Sequence, residues 1–214
     1  VFACIYGPSG VGKSCDALYS FPRGLFVAAP GALKPAETVV GYTPRKTQTE
    51  APHLMAVTEM IVKSGRRLEE FDAIVIDDLS LLTERTLSVL EKKYAGSKNR
   101  YAVWDALRDI VLEFRDAARH ARIHVLVNAH DQPPQTKQDG TFVRGGPRLP
   151  GRMPSDFPTA ADICLHAVPF ENGHLGWPVA YRCNVLYSDW STKDRHGCTP
   201  DYAPMNIAEV LRLA

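Results

Sequence analysis

Short apolar runs alternate along this chain with longer segments whose apolar residues recur every three or four positions. The runs at 1–6, 24–29 (GLFVAA), 71–77 (FDAIVID) and 123–128 (IHVLVN) have the length and β-branched content of strands buried on both faces. Residues 54–65 place Leu54, Val57, Ile61 and Val62 on one helical face. Residues 101–121 give the clearest helix, with Val103, Trp104, Leu107, Ile110, Val111 and Phe114 in one stripe. Membership of that stripe assigns Trp104 to the core rather than to stacking on a base. Residues 13–20 open a short helix. Residues 79–100 are mixed, with helical character over 84–94. The alternation predicts an α/β fold whose mostly parallel central sheet is flanked by helices. Near the C-terminus, 162–168 and 180–187 read as strands joined by the turn Glu171-Asn172-Gly173-His174, an antiparallel hairpin, and a last helix starts at about Asn206. Residues 30–52 and 131–161 are rich in Pro and Gly and read as long loops. No internal repeat or second domain is visible, so residues 1–214 are expected to form one domain.

Composition narrows this picture only a little. A net charge of +1 excludes a strongly basic tail or an acidic solvating domain, but leaves room for a local nucleic-acid patch. Cys4, Cys15, Cys164, Cys183 and Cys198 are odd in number and form no C-x-x-C pair, which argues against a disulfide framework and for a reducing cytoplasm. No apolar run approaches the roughly 20 residues that span a bilayer, and no signal peptide is visible.

The chemistry is concentrated in Gly7-Pro8-Ser9-Gly10-Val11-Gly12-Lys13-Ser14, a complete G-x-x-x-x-G-K-[ST] phosphate loop between the first strand and the first helix. Its glycines let successive N–H groups turn inward around a phosphate chain, with a helix N-terminus behind them. Lys13 is expected to reach the β- and γ-phosphates of ATP, and the Ser14 hydroxyl to ligate Mg²⁺. Cys15 follows directly, either as a small residue packed at the helix start or as an oxidation-sensitive thiol at the nucleotide. The strand at 71–77 ends in Asp77-Asp78. Asp77 is the candidate Mg²⁺ ligand, and Asp78 is placed to orient or deprotonate the attacking water. Asn128 and His130, at the end of another apolar run, are candidate γ-phosphate sensors, with a structural histidine the competing reading.

Residues 131–161 carry Lys137, Arg144, Arg148 and Arg152 together with Phe142. Cations with an aromatic on flexible backbone suit single-stranded DNA, through phosphate neutralisation and base stacking; a solvated surface loop suits the same composition.

In this order the pieces resemble a RecA-like ATPase core over nearly the whole chain. They are similar in particular to phage-encoded nucleotide-binding proteins of the Sak-type single-strand annealing kind. The resemblance rests on Val127-Asn128-Ala129-His130 followed by Gly145-Gly146-Pro147-Arg148-Leu149-Pro150-Gly151, on Asp156-Phe157-Pro158 leading to Ala161-Asp162-Ile163, and on Lys193-Asp194-Arg195-His196-Gly197. The last resembles the K-x-R-x-G pattern of RadA-like and DnaB-like proteins, which implies that Lys193 and Arg195 act as catalytic fingers on a neighbouring subunit's γ-phosphate in a ring or filament. One departure stands out. The strand at 24–29 ends Ala28-Ala29-Pro30 without the family's glutamate, leaving Glu37 or Asp78 to position the water.

The resemblance implies an ATP- and Mg²⁺-dependent ATPase that oligomerises on single-stranded DNA in phage recombination or annealing, in the host cytoplasm. A DNA-packaging or helicase-type motor is the alternative. A small-molecule kinase, with residues 144–152 as an arginine lid, is a third reading.

Overall fold

The computed structural model describes residues 1–29, 48–99, 101–151, 153–169, 179–182, 189–197 and 199–213. The first strand, β1 (Phe2–Gly7), is buried along its whole length and runs into the phosphate loop. Helix α1 (Lys13–Ser20) follows, then β2 (Leu25–Ala28), β3 (Gln48–Glu50) and α2 (Leu54–Ser64). A 3-10 turn, Gly65–Glu70, leads into β4 (Ala73–Asp77), α3 (Leu79–Lys93), α4 (Ala102–His120) and β5 (His124–Gln132). The short strands β6 (Gln135–Thr136), β7 (Phe142–Val143) and β8 (Gly146–Pro147) precede α5 (Met153–Ala160). The chain continues through β9 (Ile163–Pro169), β10 (Val179–Arg182), β11 (Lys193–Asp194), β12 (Tyr202–Pro204) and α6 (Ile207–Leu213).

Among the described residues the main sheet has the order β12-β10-β9-β1-β5-β4-β2-β3. From β9 to β3 every neighbouring pair is parallel, and β10 runs antiparallel to β9 as the predicted hairpin requires. Alternation along the strands splits the core in two. Phe2, Cys4 and Tyr6 join Val125, Val127 and Cys164 on the face covered by α2, α3, α4 and α5. Ala3 and Ile5 join Leu126 and Leu165 on the face covered by α1 and α6.

Local chemistry fixes the helix starts. Asp78 caps α3, its Oδ1 accepting the Leu81 N–H at 2.6 Å, so this helix begins well before the predicted 84. The first N–H of α2, from Leu54, is met across the core by the buried Thr86 hydroxyl at 2.9 Å. Asp16 of α1 accepts the Ile207 N–H at 3.0 Å and a short hydrogen bond from Tyr181, tying α6 and β10 to the helix behind the phosphate loop. Burial pushes the Asp16 carboxyl above its ordinary value, against the pull of those bonds.

Several sequence expectations need correction. Trp104 is not a core residue: it is 45% exposed, in a first turn of α4 where no residue is buried. The buried stripe starts at Leu107 and continues through Val111, Phe114 and Ala118. Val62 is exposed because it lies about 100° around α2 from Ile61. Residues 131–161 are not one long loop. Strand β5 continues to Gln132, β8 pairs back onto it, and α5 buries Phe157 against Phe2 at 5.8 Å between ring centroids. Gly, Pro and single apolar residues there give no regular period, so only tertiary burial of Gly146, Pro147, Leu149 and Phe157 orders the segment. Strand β3 likewise lies within the region read as a loop. Glu37, Arg152, Cys183, Cys198 and the turn at 171–174 lie outside the described residues.

Candidate nucleotide-binding site

The phosphate loop leaves β1 at Gly7 and closes on α1 at Gly12. Gly10 and Gly12 have φ of 78° and 101°, left-handed values that strain any residue with a β-carbon. Gly7 is required for a different reason. A Cβ built there comes 2.5 Å from the Ala167 carbonyl oxygen of β9. Pro8, Ser9 and Val11 line the turn between these glycines, Ser9 exposed and Val11 packed against the core beneath α1. Cys15 is a half-buried free thiol in the first turn of α1.

Lys13 is 7% exposed, and its Nζ donates to the carbonyls of Gly7 at 2.9 Å and Pro8 at 2.8 Å. The lysine therefore lies folded back on the loop, donating to its carbonyls. Burial pushes its ammonium below the ordinary lysine value; Asp77, Asp131 and Asp78 oppose the shift. Nothing local in the sequence marks Asp131, near the end of β5, for a cation on another strand's loop.

Sheet order decides the acid side. Strand β5 lies between β1 and β4, with Ile5 opposite Asn128 and Ile76 opposite Val127. Asn128 and Asp77 thus reach the same level on the α1 face. Asn128 Nδ2 donates to Asp77 Oδ1 at 3.5 Å, and Asn128 Oδ1 is buried with no partner among the described residues. Asp77 also accepts a hydrogen bond from Ser14. Burial pushes the Asp77 carboxyl up from its ordinary value; the Ser14 bond pulls it down, the Asp78 charge raises it further, and Asn128 and Lys13 lower it.

This donor set fits a nucleotide with Mg²⁺. A hydroxyl and a buried carboxylate already share a proton, and Mg²⁺ on a phosphate chain takes only one or two protein ligands beside water and phosphate. No cluster of three or more His, Cys, Asp or Glu able to hold a metal occurs among the described residues.

Asp78 is engaged at both oxygens. Oδ1 caps α3, and Oδ2 lies 2.9 Å from His130 Nε2. His130 ends the part of β5 that pairs with β1, opposite Gly7, and its N–H donates to Ser80 Oγ at 3.1 Å. The structure thus brings Lys13, Ser14, Asp77, Asp78, Asn128 and His130 around the C-terminal ends of three adjacent strands, where ligands of open α/β sheets bind.

A family model described as an AAA domain matches residues 2–185. The chain belongs to the AAA domain family. It is therefore a nucleotide-binding domain of the phosphate-loop ATPase type. Among solved structures, the RadB recombinase is similar at 14% identity, with 91% of this chain and 90% of that chain covered and a TM-score of 0.49. An ATPase from the type III secretion system of pathogenic bacteria is similar at 11% identity, with 77% and 51% covered and a TM-score of 0.49. This chain thus spans about half the length of the secretion ATPase. No curated protein matches the chain.

The remaining candidates lie elsewhere. Lys193 pairs opposite Cys164 and donates to the Thr159 carbonyl, on the α5 face of the sheet. Arg195 is ion-paired with Asp162 at 2.9 Å, and Asp162 accepts the Phe2 N–H at the start of β1. Neither side chain is at its own phosphate loop. Arg148 is paired with Glu84 of α3 at 3.3 Å, Lys137 sits at the exposed β6–β7 turn, and Phe142 and Arg144 flank a cavity. No helix among the described residues is long and apolar enough to cross a membrane.

Proposed function

We propose that this AAA domain is a Mg²⁺-dependent ATPase, folded as one domain, that assembles into a homo-oligomer on single-stranded DNA. Its setting is the cytoplasm, in recombination or annealing of the phage type. The observation that carries the ATPase reading is the convergence of Lys13, Ser14, Asp77 and Asn128 on one face of the sheet, at the ends of β1, β5 and β4.

Ser14 and Asp77 would hold Mg²⁺, which would supply charge neutralisation on the phosphate chain. Lys13 exchanges its two carbonyl partners for phosphate oxygens. Asp78, steadied by its helix cap and by His130, orients the attacking water, and His130 senses the γ-phosphate from the end of β5. Arg195 acts on a neighbour's nucleotide; its place away from its own phosphate loop supports a role in trans. Catalysis by such a site is mostly positioning and charge stabilisation. Within the segment read as an arginine lid, Arg148 is paired with Glu84 at the surface.

The test is steady-state ATP turnover with and without single-stranded DNA on a sized sample. Lys13→Ala and Asp77→Asn should each lower Mg²⁺-dependent turnover by about a hundredfold or more. A folded variant of either kind with near-wild-type turnover removes the assignment.

A further inference from the structure

A cavity of about 490 Å³ opens on the face of the sheet opposite α1, away from the phosphate loop. Its walls include Phe142, Arg144, Pro158, Thr159, Thr192 and Lys193, drawn from β7, α5 and β11. We infer that this cavity takes one nucleotide of a single-stranded nucleic acid, with the base on Phe142 and Pro158 and its phosphate between Arg144 and Lys193. The inference rests on the single-strand reading above and gives it a site.

Four observations carry it. Phe142 is 51% exposed at the cavity, a large ring that the two-residue strand β7 leaves to water. Base–aromatic stacking uses such a ring whatever the sequence of the strand. Arg144 makes no ion pair among the described residues, whereas Arg148 and Arg195 are each held by a carboxylate. Lys193 adds a second cation, with Arg195, Asp162 and Arg119 among its charged neighbours, and no carboxylate is among the described residues that line the cavity. Thr192 is 3% exposed, and its hydroxyl has no partner among the described residues.

The wall is also rigid. Gly145 exchanges backbone hydrogen bonds with Asp189 at 2.8 Å and Ser191 at 2.7 Å, and a Cβ built on it would meet the Trp190 ring at 2.5 Å. Trp190 stacks on His166 at 3.9 Å between centroids, and His166 on Tyr6 at 4.9 Å. The Tyr6 hydroxyl donates to the Ser191 carbonyl at 2.9 Å. Residues 190–193 are thus pinned to the strand that feeds the phosphate loop. The volume lies within the range of small-molecule pockets, about 300–1,000 Å³, which suits one base and its phosphate and not a duplex. Two cations in a described lining that holds no carboxylate, beside an exposed ring, favour a nucleotide over a peptide. Lys193 then contacts nucleic acid in its own chain, and Arg195 alone keeps the role toward a neighbour.

The experiment is fluorescence anisotropy of the full chain with a labelled oligothymidylate, in ATP and Mg²⁺, over a salt series. Phe142→Ala should weaken binding about tenfold and Phe142→Trp should retain it. An oligonucleotide of abasic sites should bind wild type and Phe142→Ala alike. Arg144→Ala and Lys193→Ala should each flatten the salt slope by about 0.7, and Lys193→Arg should keep it. Thermal melts check that each variant is folded. If wild type binds but Phe142→Ala and Lys193→Ala match it, the cavity is not the site and the single-strand reading stands without it. Equal weakening of the abasic probe by Phe142→Ala also overturns the proposal. Absence of binding by wild type at low salt removes the single-strand reading and the cavity assignment together.

Discussion

Gly7→Ala isolates a demand of the phosphate loop that its motif does not reveal. Gly7 needs no left-handed backbone; its constraint is the β9 strand alongside. The added Cβ would sit 2.5 Å from Ala167 O and 3.1 Å from Ala167 Cβ, where ordinary contact begins at 3.4 Å. Both neighbours are fixed in a parallel sheet, so β1 and β9 must part by about 0.9 Å to relieve the overlap. Overpacking of this kind costs roughly 1–3 kcal/mol. At about 2–4 °C per kcal/mol for a chain of this size, the melting temperature should fall by roughly 4–8 °C. The Gly7 carbonyl also anchors Lys13 Nζ at 2.9 Å, so the shift moves the lysine. A displacement near 1 Å at a reacting group costs on the order of a hundredfold in rate, so turnover should fall by about 10- to 100-fold. Gly10→Ala is the comparison. A Cβ there meets nothing within 4 Å, and the penalty is only left-handed strain of about 1–2 kcal/mol at φ 78°. Scanning calorimetry and steady-state ATP turnover on both variants decide the matter. If Gly7→Ala melts within about 1 °C of wild type and turns over normally, the steric reasoning is wrong.

Two further outcomes follow from particular contacts. Thr86→Val keeps the shape of the side chain but leaves the first N–H of α2 buried without its acceptor; urea or thermal unfolding should show a loss of about 2 kcal/mol, and no change would mean that the bond contributes nothing. Arg195→Ala mixed with Lys13→Ala should recover part of the turnover that each lacks alone, because some interfaces pair an intact loop with an intact arginine. No recovery despite verified subunit exchange rules out action in trans.

The fold was legible where the pattern is local and long. Residues 13–20 form the helix expected after the phosphate loop, and residues 101–121 differ from α4 by one residue at each end. The parallel sheet and its antiparallel hairpin follow from strand–helix alternation and a turn. Helix α3 begins earlier than its pattern predicts because Leu79 to Thr83 carry mixed polarity and Asp78, a catalytic candidate by sequence, caps the helix. The order within 131–161 was missed because its elements are two or eight residues long and held by distant partners.

The sequence by itself determined the phosphate loop, because every requirement of that loop is met within eight consecutive residues: turn-permitting glycines, a cation and a hydroxyl at the mouth of a helix. It also determined which strands are buried, since burial on both faces leaves no polar position along Ala73 to Ile76 or Val125 to Val127. Only the tertiary structure decided that β5 lies between β1 and β4, and so that Asn128 meets Asp77 and His130 meets Asp78. Only it decided that Arg148 is taken by Glu84 while Arg144 stands with Phe142 and Lys193 around one cavity. Such pairings depend on which strands become neighbours. That choice is fixed by the summed packing of surfaces far apart in sequence, and no local period of polar and apolar residues carries it.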